Sequence, residues 1–216
     1  MIGENAGIAA FQTQINVSRE TLERLETYEG LLRKWNPAIN LVSKTTLSEI
    51  WTRHFLDSAQ LWVMRPDAAK HWLDLGSGGG FPGLVIGVLA AEHQPDLTVT
   101  LVESDARKAS FLLNTAKNMG LDNITVYIER AEALKPQGAD VISARALAQV
   151  DMLLHYADRH LAENGVCLFC KGGNHEMELT EARKCWTFKL QKSKSLSDPT
   201  GVILQIESIH RVRAQE

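Results

Sequence analysis

The sequence predicts an α/β fold: a mainly parallel seven-stranded sheet with an antiparallel edge pair, flanked by helices and preceded by N-terminal helices. Three observations predict it. From His71 onward, short apolar runs alternate with stretches of helical period. A glycine-rich segment follows the first run, and the last two runs flank a tight turn in place of a helix.

Residues 1–17 are assigned no element. Ser18 reads as a helix N-cap, with Val17 and Leu22 as a hydrophobic staple; Leu22, Leu25, Tyr28, Leu31, Leu32 and Trp35 then recur at a helical period. Asn36-Pro37 is expected to end this helix. A second helix is expected to open at Thr46, three residues before Glu49 in capping-box spacing. It carries Ile50, Trp51, His54, Phe55, Ala59 and Trp62 and closes at Arg65-Pro66. Strands are expected at residues 71–75, 97–102, 124–128, 139–143 and 165–170. Helices open at Pro82, near Asp105, near Gln149 and near Asn174, with Gly120 stopping the second of them. Residues 186–190 and 202–209 flank Asp198-Pro-Thr-Gly201 and read as the antiparallel pair, with residues 192–197 a polar loop. The chain is read as one domain, 1–216, with residues 1–66 a helical extension and 71–216 the sheet-bearing core.

With 44% hydrophobic and 23% charged residues, the composition excludes a wholly disordered, collagenous or disulfide-scaffold protein. Lys plus Arg number 23 against 26 Asp plus Glu, so a nucleic-acid site requires a local patch of cations. No apolar run approaches the roughly 20 residues that span a bilayer, and residues 1–10 lack a signal-peptide pattern, so the expected location is the cytoplasm. Cys167 and Cys170 have C-x-x-C spacing but lie inside a strand-like run, and Cys185 stands apart; all three read as free thiols in or near the core, and no metal site is expected. The helical spacing of Trp35, Trp51 and Trp62 favours core over base stacking. Arg19, Arg24, Arg33 and Lys34 alternate with Glu20, Glu23, Glu26 and Glu29, a salt-bridged solvent face.

The most informative segment is Asp74-Leu-Gly-Ser-Gly-Gly-Gly-Phe-Pro-Gly83, between the first strand and the helix at Pro82. Its glycines let the backbone turn tightly and approach a ligand, which marks a binding loop. The dinucleotide pattern aligned on Gly76 and Gly78 requires glycine at position 81, where Phe81 stands. An acid-x-G-x-G-x-G pattern fits in full through Asp74, Gly76, Gly78 and Gly80. It resembles the first motif of the Rossmann-like S-adenosylmethionine-dependent methyltransferases. That resemblance implies a ribose-binding carboxylate at the end of the second strand, where Glu103 lies with two acceptor oxygens.

From about residue 18 to the end, the chain resembles more closely the glucose-inhibited division protein B family, the bacterial small-subunit ribosomal RNA methyltransferases G. The landmarks are Lys34-Trp-Asn36, Asn40-Leu41, Arg53-His54, Leu56-Asp-Ser58, the glycine loop through Gly83, Arg107-Lys108 with Phe111, Ala144-Arg-Ala146 and Lys171-Gly172. The resemblance implies methyl transfer from S-adenosylmethionine to the 7-nitrogen of a guanine in 16S ribosomal RNA, with naked RNA or the small subunit as partner and a monomeric enzyme. It implies cofactor contacts at Asp74, Gly76, Ser77, Gly78, Phe81, Glu103, Ala131, Glu132 and Arg145. By the same resemblance Asn40, His54, Arg145 and Lys171 are expected to take positioning roles around the substrate, and the need for a local cation patch points to Arg53, Arg107, Lys108, Arg130 and Lys171 for RNA. The family often has Ser directly before the arginine; here Ala144 separates Ser143 from Arg145. Two further readings stay open: a methyltransferase with a protein or small-molecule acceptor, and a non-catalytic RNA-binding assembly factor.

Overall fold

The computed structural model describes residues 2–212. Helix α1 (Ile2–Gln14), in a stretch to which the sequence pattern assigned no element, packs Phe11 edge-on against Trp51 at 5.7 Å. Helix α2 (Arg19–Ile39) starts where expected, the Ser18 hydroxyl accepting from the Thr21 amide. It does not stop at Asn36-Pro37. Pro37 removes one amide from the last turn, yet the helix runs on to Asn40, whose left-handed backbone (φ 48°) and amide bond to the Asn36 carbonyl close it. Its charged face is salt-bridged through Arg19–Glu23, Arg24–Glu20 and Arg33–Glu29.

The second predicted helix is four short pieces. Ser43, not Thr46, caps helix α3 (Lys44–Leu47) by accepting from the Thr46 amide. A π-helical turn, Trp51–Leu56, follows and leads into helix α4 (Asp57–Ala59) and a 3₁₀ turn, Trp62–Met64. Trp51 and Trp62 are buried and Trp35 leans on Phe111, so all three tryptophans serve packing.

Strands β1 (His71–Leu75), β2 (Thr98–Val102), β3 (Ile124–Tyr127), β4 (Ala139–Arg145) and β5 (Leu161–Lys171) are mutually parallel. Helices α5 (Gly83–His93), α6 (Ala106–Asn118), α7 (Val150–His160) and α8 (His175–Ala182) follow β1, β2, β4 and β5, while β3 leads to β4 without a helix. Strands β6 (Trp186–Lys194) and β7 (Val202–Arg211) pair antiparallel, and β7 joins β5. The sheet order β3-β2-β1-β4-β5-β7-β6 reverses direction between β1 and β4, the point at which such sheets open a ligand crevice at their carboxyl ends. Strand β6 continues through Lys194, so half of the expected polar loop is sheet.

One apolar cluster joins α1, α2 and the π-turn to one face of the sheet, bringing Phe11, Leu25, Tyr28, Phe55, Leu84 and Val141 together. A second covers the opposite face beneath α7 and α8. Cys167 is buried in it, Cys170 is half-buried and Cys185 is exposed, so the expectation of three thiols in or near the core is corrected for Cys185. No helix of the described residues is long and apolar enough to cross a membrane.

Candidate active site

The glycine loop leaves β1 with left-handed backbone at Gly76 (φ 66°), Gly78 (φ 54°) and Gly80 (φ 95°), conformations that side chains with a Cβ resist. At Gly80 the reason is also steric: a Cβ there would collide with the Tyr28 hydroxyl and the Leu84 side chain. Tyr28, fully buried on α2, stacks on Phe81 at 5.2 Å and donates its hydroxyl to the Gly79 carbonyl. Burial raises its pKa well above the usual phenol range, so it stays a donor.

Asp74 lies beneath the loop, fully buried. Its carboxylate accepts from the Ser143 hydroxyl at 2.7 Å and the Gly83 amide at 3.3 Å, and Ser143 in turn accepts from the Trp72 indole at 2.8 Å. This places Asp74 behind the binding surface as the loop's anchor rather than on the cavity wall. Burial pushes its pKa up to about 6, partly countered by those hydrogen bonds and by Arg145. The Ser143 hydroxyl is spent on the same chain and is buried away from solvent.

Above the loop is a cavity of about 420 Å³, within the usual span of small-molecule sites. Gly76, Ser77, Gly78, Phe81, Glu103, Ala131, Glu132 and Arg145 all line it. The Glu103 carboxylate accepts from the Gly78 amide at 2.9 Å and the Asp105 amide at 2.8 Å, which holds it at the end of β2. The Ala131 carbonyl is bonded from behind by buried His160. Leu41, part of the Asn40-Leu41 landmark, also lines it, as do Leu147 and Tyr156, which the sequence pattern did not single out.

A second cavity, about 570 Å³, adjoins it along Leu41, Arg145 and Ala146, which line both. Arg145 is the partition. Its guanidinium donates to His54 Nδ1 at 2.8 Å and to the Arg53 carbonyl at 3.3 Å, pairs with Asp57 at 3.4 Å, and lies 4.9 Å from the Phe81 ring centre. His54 itself stacks on Phe81, the ring centres 4.8 Å apart. Burial, then the charges of Arg145 and Arg53, lower the His54 pKa to about 3, so the imidazole is neutral at any working pH. Because Nδ1 accepts from Arg145, the ring proton sits on Nε2, facing the Thr46 hydroxyl at 2.9 Å.

The other substrate-side residues are less uniform. Lys171 lines the second cavity, but its ammonium is held by Glu178 at 2.6 Å and the Ala148 carbonyl at 2.9 Å. Arg53 lines it too and pairs with Asp198 at 3.0 Å. Asn40 lines neither cavity; it is the exposed cap of α2, and its neighbour Asn36 is the buried side chain that ties down the Val42 amide. Lys108 and Arg130 stand at the mouth of the first cavity, while Arg107 lies outside both and pairs with Asp105. The second cavity brings together three of the cations singled out from the sequence. Its cations Arg53, Arg145 and Lys171 each face a carboxylate, Asp198, Asp57 and Glu178. These acids were not assigned a role from sequence, although Asp57 lies inside the Leu56-Asp-Ser58 landmark. Among the described residues, no group of His, Cys, Asp and Glu is arranged to hold a metal ion.

The sheet order, the crevice at its switch point and the glycine cradle with a carboxylate at the end of β2 define a Rossmann-like S-adenosylmethionine-dependent methyltransferase. Solved structures share the fold. A putative O-methyltransferase from Klebsiella pneumoniae superposes with a TM-score of 0.56 at 16% identity, over 94% of this chain and 97% of that one. A SAM dependent methyltransferase from Aquifex aeolicus gives a TM-score of 0.57 at 12% identity, over 82% and 97%. The family model for rRNA small subunit methyltransferase G matches residues 21–203. Relatives named ribosomal RNA small subunit methyltransferase G include one from Ruegeria sp. (strain TM1040), 49% identical over 92% of this chain and 96% of its own length. Another, from Cereibacter sphaeroides (strain ATCC 17025 / ATH 2.4.3), is 50% identical over 92% and 95%. The chain belongs to the rRNA small subunit methyltransferase G family.

Proposed function

We propose that this chain transfers a methyl group from S-adenosylmethionine to the 7-nitrogen of one guanine in 16S ribosomal RNA. The observation that carries the reading is the pair of cavities meeting at Arg145 on the carboxyl edge of the sheet, in a chain of this family. One cavity suits the methyl donor and the other an inserted base.

The first cavity fits S-adenosylmethionine by the chemistry of its donors. Glu103 offers carboxylate oxygens for a ribose diol, the backbone near Ala131 and the carboxylate of Glu132 suit an adenine edge, and Gly76, Ser77, Gly78 and Phe81 leave close backbone approach. Asp74 supports this binding from beneath. When bound, the cofactor supplies a methyl group on a positively charged sulfur. Ring nitrogen 7 of guanine has a free lone pair, so the residues of this chain need remove no proton. Their work is alignment, which can supply roughly 7–11 kcal/mol when preorganised. Arg145, held by His54, Asp57 and the Arg53 carbonyl, is a fixed wall against which the base is set. Neutral His54 adds no charge beside a base that becomes cationic. The carboxylates of Asp57, Glu178 and Asp198 balance the cations around it.

A guanine in folded RNA costs about a few kcal/mol to unstack. Lys108, Arg130 and Arg107 at the outer surface, together with Arg53 and Lys171, are the side chains offered to the phosphates that offset this cost. The reading places the enzyme in the cytoplasm, working as a monomer on RNA or on the small subunit. The test incubates the purified chain and methyl-labelled S-adenosylmethionine with small subunits and 16S RNA from cells lacking the enzyme, then maps label by borohydride–aniline cleavage, which cuts at 7-methylguanosine. One specific cut is expected; absence of label in either substrate, with cofactor binding intact, overturns the reading.

A further inference from the structure

The acceptor cavity is bounded on one side by the turn between β6 and β7, which the sequence marks only as a polar loop ending in Asp198-Pro-Thr-Gly201. This turn is not held by its own strands alone. Asp57, at the start of α4 and largely buried, receives the Ser195 hydroxyl at 2.9 Å, the Ser197 hydroxyl at 2.7 Å and the Gln60 side-chain amide at 2.8 Å, all on Oδ1. Its other oxygen pairs with Arg145. The Ser195 oxygen, so oriented, accepts the backbone amides of Ser197 and Asp198, both at 3.1 Å. Gln60 takes the Leu196 amide at 2.9 Å, and Arg53 reaches the Ser197 carbonyl and the Asp198 carboxylate. The turn is tight enough that a Cβ at Gly201 would lie 2.9 Å from Ser195 Cβ. One carboxylate thus ties two groups that line the cavity, the turn through Oδ1 and Arg145 through Oδ2, by charge-assisted hydrogen bonds.

We propose that Asp57 is a positioning residue for methyl transfer: Oδ1 fixes the 195–198 turn that bounds the acceptor cavity, and Oδ2 fixes the Arg145 guanidinium that divides it from the cofactor cavity. The proposal rests on the reading of the second cavity as the acceptor site. The two oxygens predict separable effects. Asn at position 57 keeps a carbonyl oxygen for the serine hydroxyls but sets an amide donor against Arg145. Loss of the two serine hydroxyls releases the turn and leaves the arginine paired.

The experiment compares the unaltered chain with Asp57→Asn, Asp57→Glu and the double variant Ser195→Ala/Ser197→Ala. It measures amide hydrogen exchange without ligand, S-adenosylmethionine affinity by calorimetry, and kcat and KM on small subunits lacking the modification. For Asp57→Asn we expect kcat to fall about tenfold with cofactor affinity within about threefold of the unaltered chain, with Asp57→Glu recovering part of the loss. For the serine variant we expect at least about fivefold higher KM for the subunit, little change in kcat, and faster exchange at the Ser197 and Asp198 amides while β7 is unchanged. Unaltered kcat in Asp57→Asn, or a loss that only tracks cofactor affinity, overturns the Arg145 half. Unaltered exchange and KM in the serine variant overturn the turn half; if Asp57→Asn does not fold, unaltered kcat in Asp57→Glu overturns the Arg145 half. If the unaltered chain labels no RNA, the acceptor reading fails, and the exchange comparison still decides whether Asp57 anchors the turn.

Discussion

Replacing Asp74 with Asn tests the strangest electrostatic feature of the site, a carboxyl group buried under the glycine loop. In the folded chain its pKa rises from 3.8 to about 6, burial outweighing the hydrogen bonds from Ser143, Ser77 and Gly83 and the charge of Arg145. The native state therefore keeps a proton that the unfolded chain has already released. The stability this contributes is complete below pH 3.8 and is lost as pH rises through about 6. The loss amounts to about 3 kcal/mol. Asn cannot titrate, so Asp74→Asn lacks this slope; any mismatch of its amide against the Gly83 amide adds a constant offset without altering the slope. Urea unfolding of both proteins, at steps across that interval and above it, gives two stability curves. Groups with their own shifts, such as His54 and Asp105, cancel in the difference between them. The unaltered chain is expected to lose about 3 kcal/mol relative to the variant from the bottom of the interval to the top. Parallel curves would refute the reasoning.

Four other outcomes follow from the geometry. Gly80→Ala should cost about 1–3 kcal/mol through left-handed strain and overlap with Tyr28 and Leu84, lowering both melting temperature and cofactor affinity; unchanged values for both would be contrary. Glu103→Gln leaves one acceptor oxygen where the Gly78 and Asp105 amides now use two, and calorimetry should show S-adenosylmethionine bound roughly tenfold more weakly. Tyr28→Phe strips the buried Gly79 carbonyl of its donor and should lower unfolding free energy by about 1–3 kcal/mol in urea. Arg130→Ala, removing a side chain that is 75% exposed, should reduce the slope of log affinity for RNA against log salt by about 0.7–0.9 if it contacts one phosphate; an unchanged slope removes it from the interface.

Much of this architecture was legible because its signals are local. Each parallel strand is a short apolar run bounded by turn residues, and the glycines of the loop after β1 announce their backbone needs in the sequence itself. Ser18 as a cap is equally local. Where reading from sequence went astray, another interaction competed. Thr46 and Glu49 have capping-box spacing, but Ser43 stands three residues before Thr46 and takes its amide. The apolar spacing through Trp51 and Phe55 is compatible with a helix, yet nothing in it reveals that one turn winds as a π-helix. Helix α1 depends on the contact of Phe11 with Trp51, a tertiary partner forty residues away that propensity does not encode. The second cavity is the extreme case. Arg53 meets Asp198 and Asp57 meets Ser195 across well over a hundred residues, pairings that no local pattern in the sequence reveals.

The phenol of Tyr28 has a meaning for how this protein can change. It belongs to the N-terminal helices, yet it fills the space that the glycine loop leaves empty, and Leu25, Phe55 and Leu84 close around it in a single apolar cluster. A chain cut ahead of β1 would lay that greasy face open to water and leave the loop without its backing. The amino-terminal helices therefore cannot be traded between relatives like a detachable module. They and the glycine-loop half of the sheet must drift together, each constraining which substitutions the other can accept.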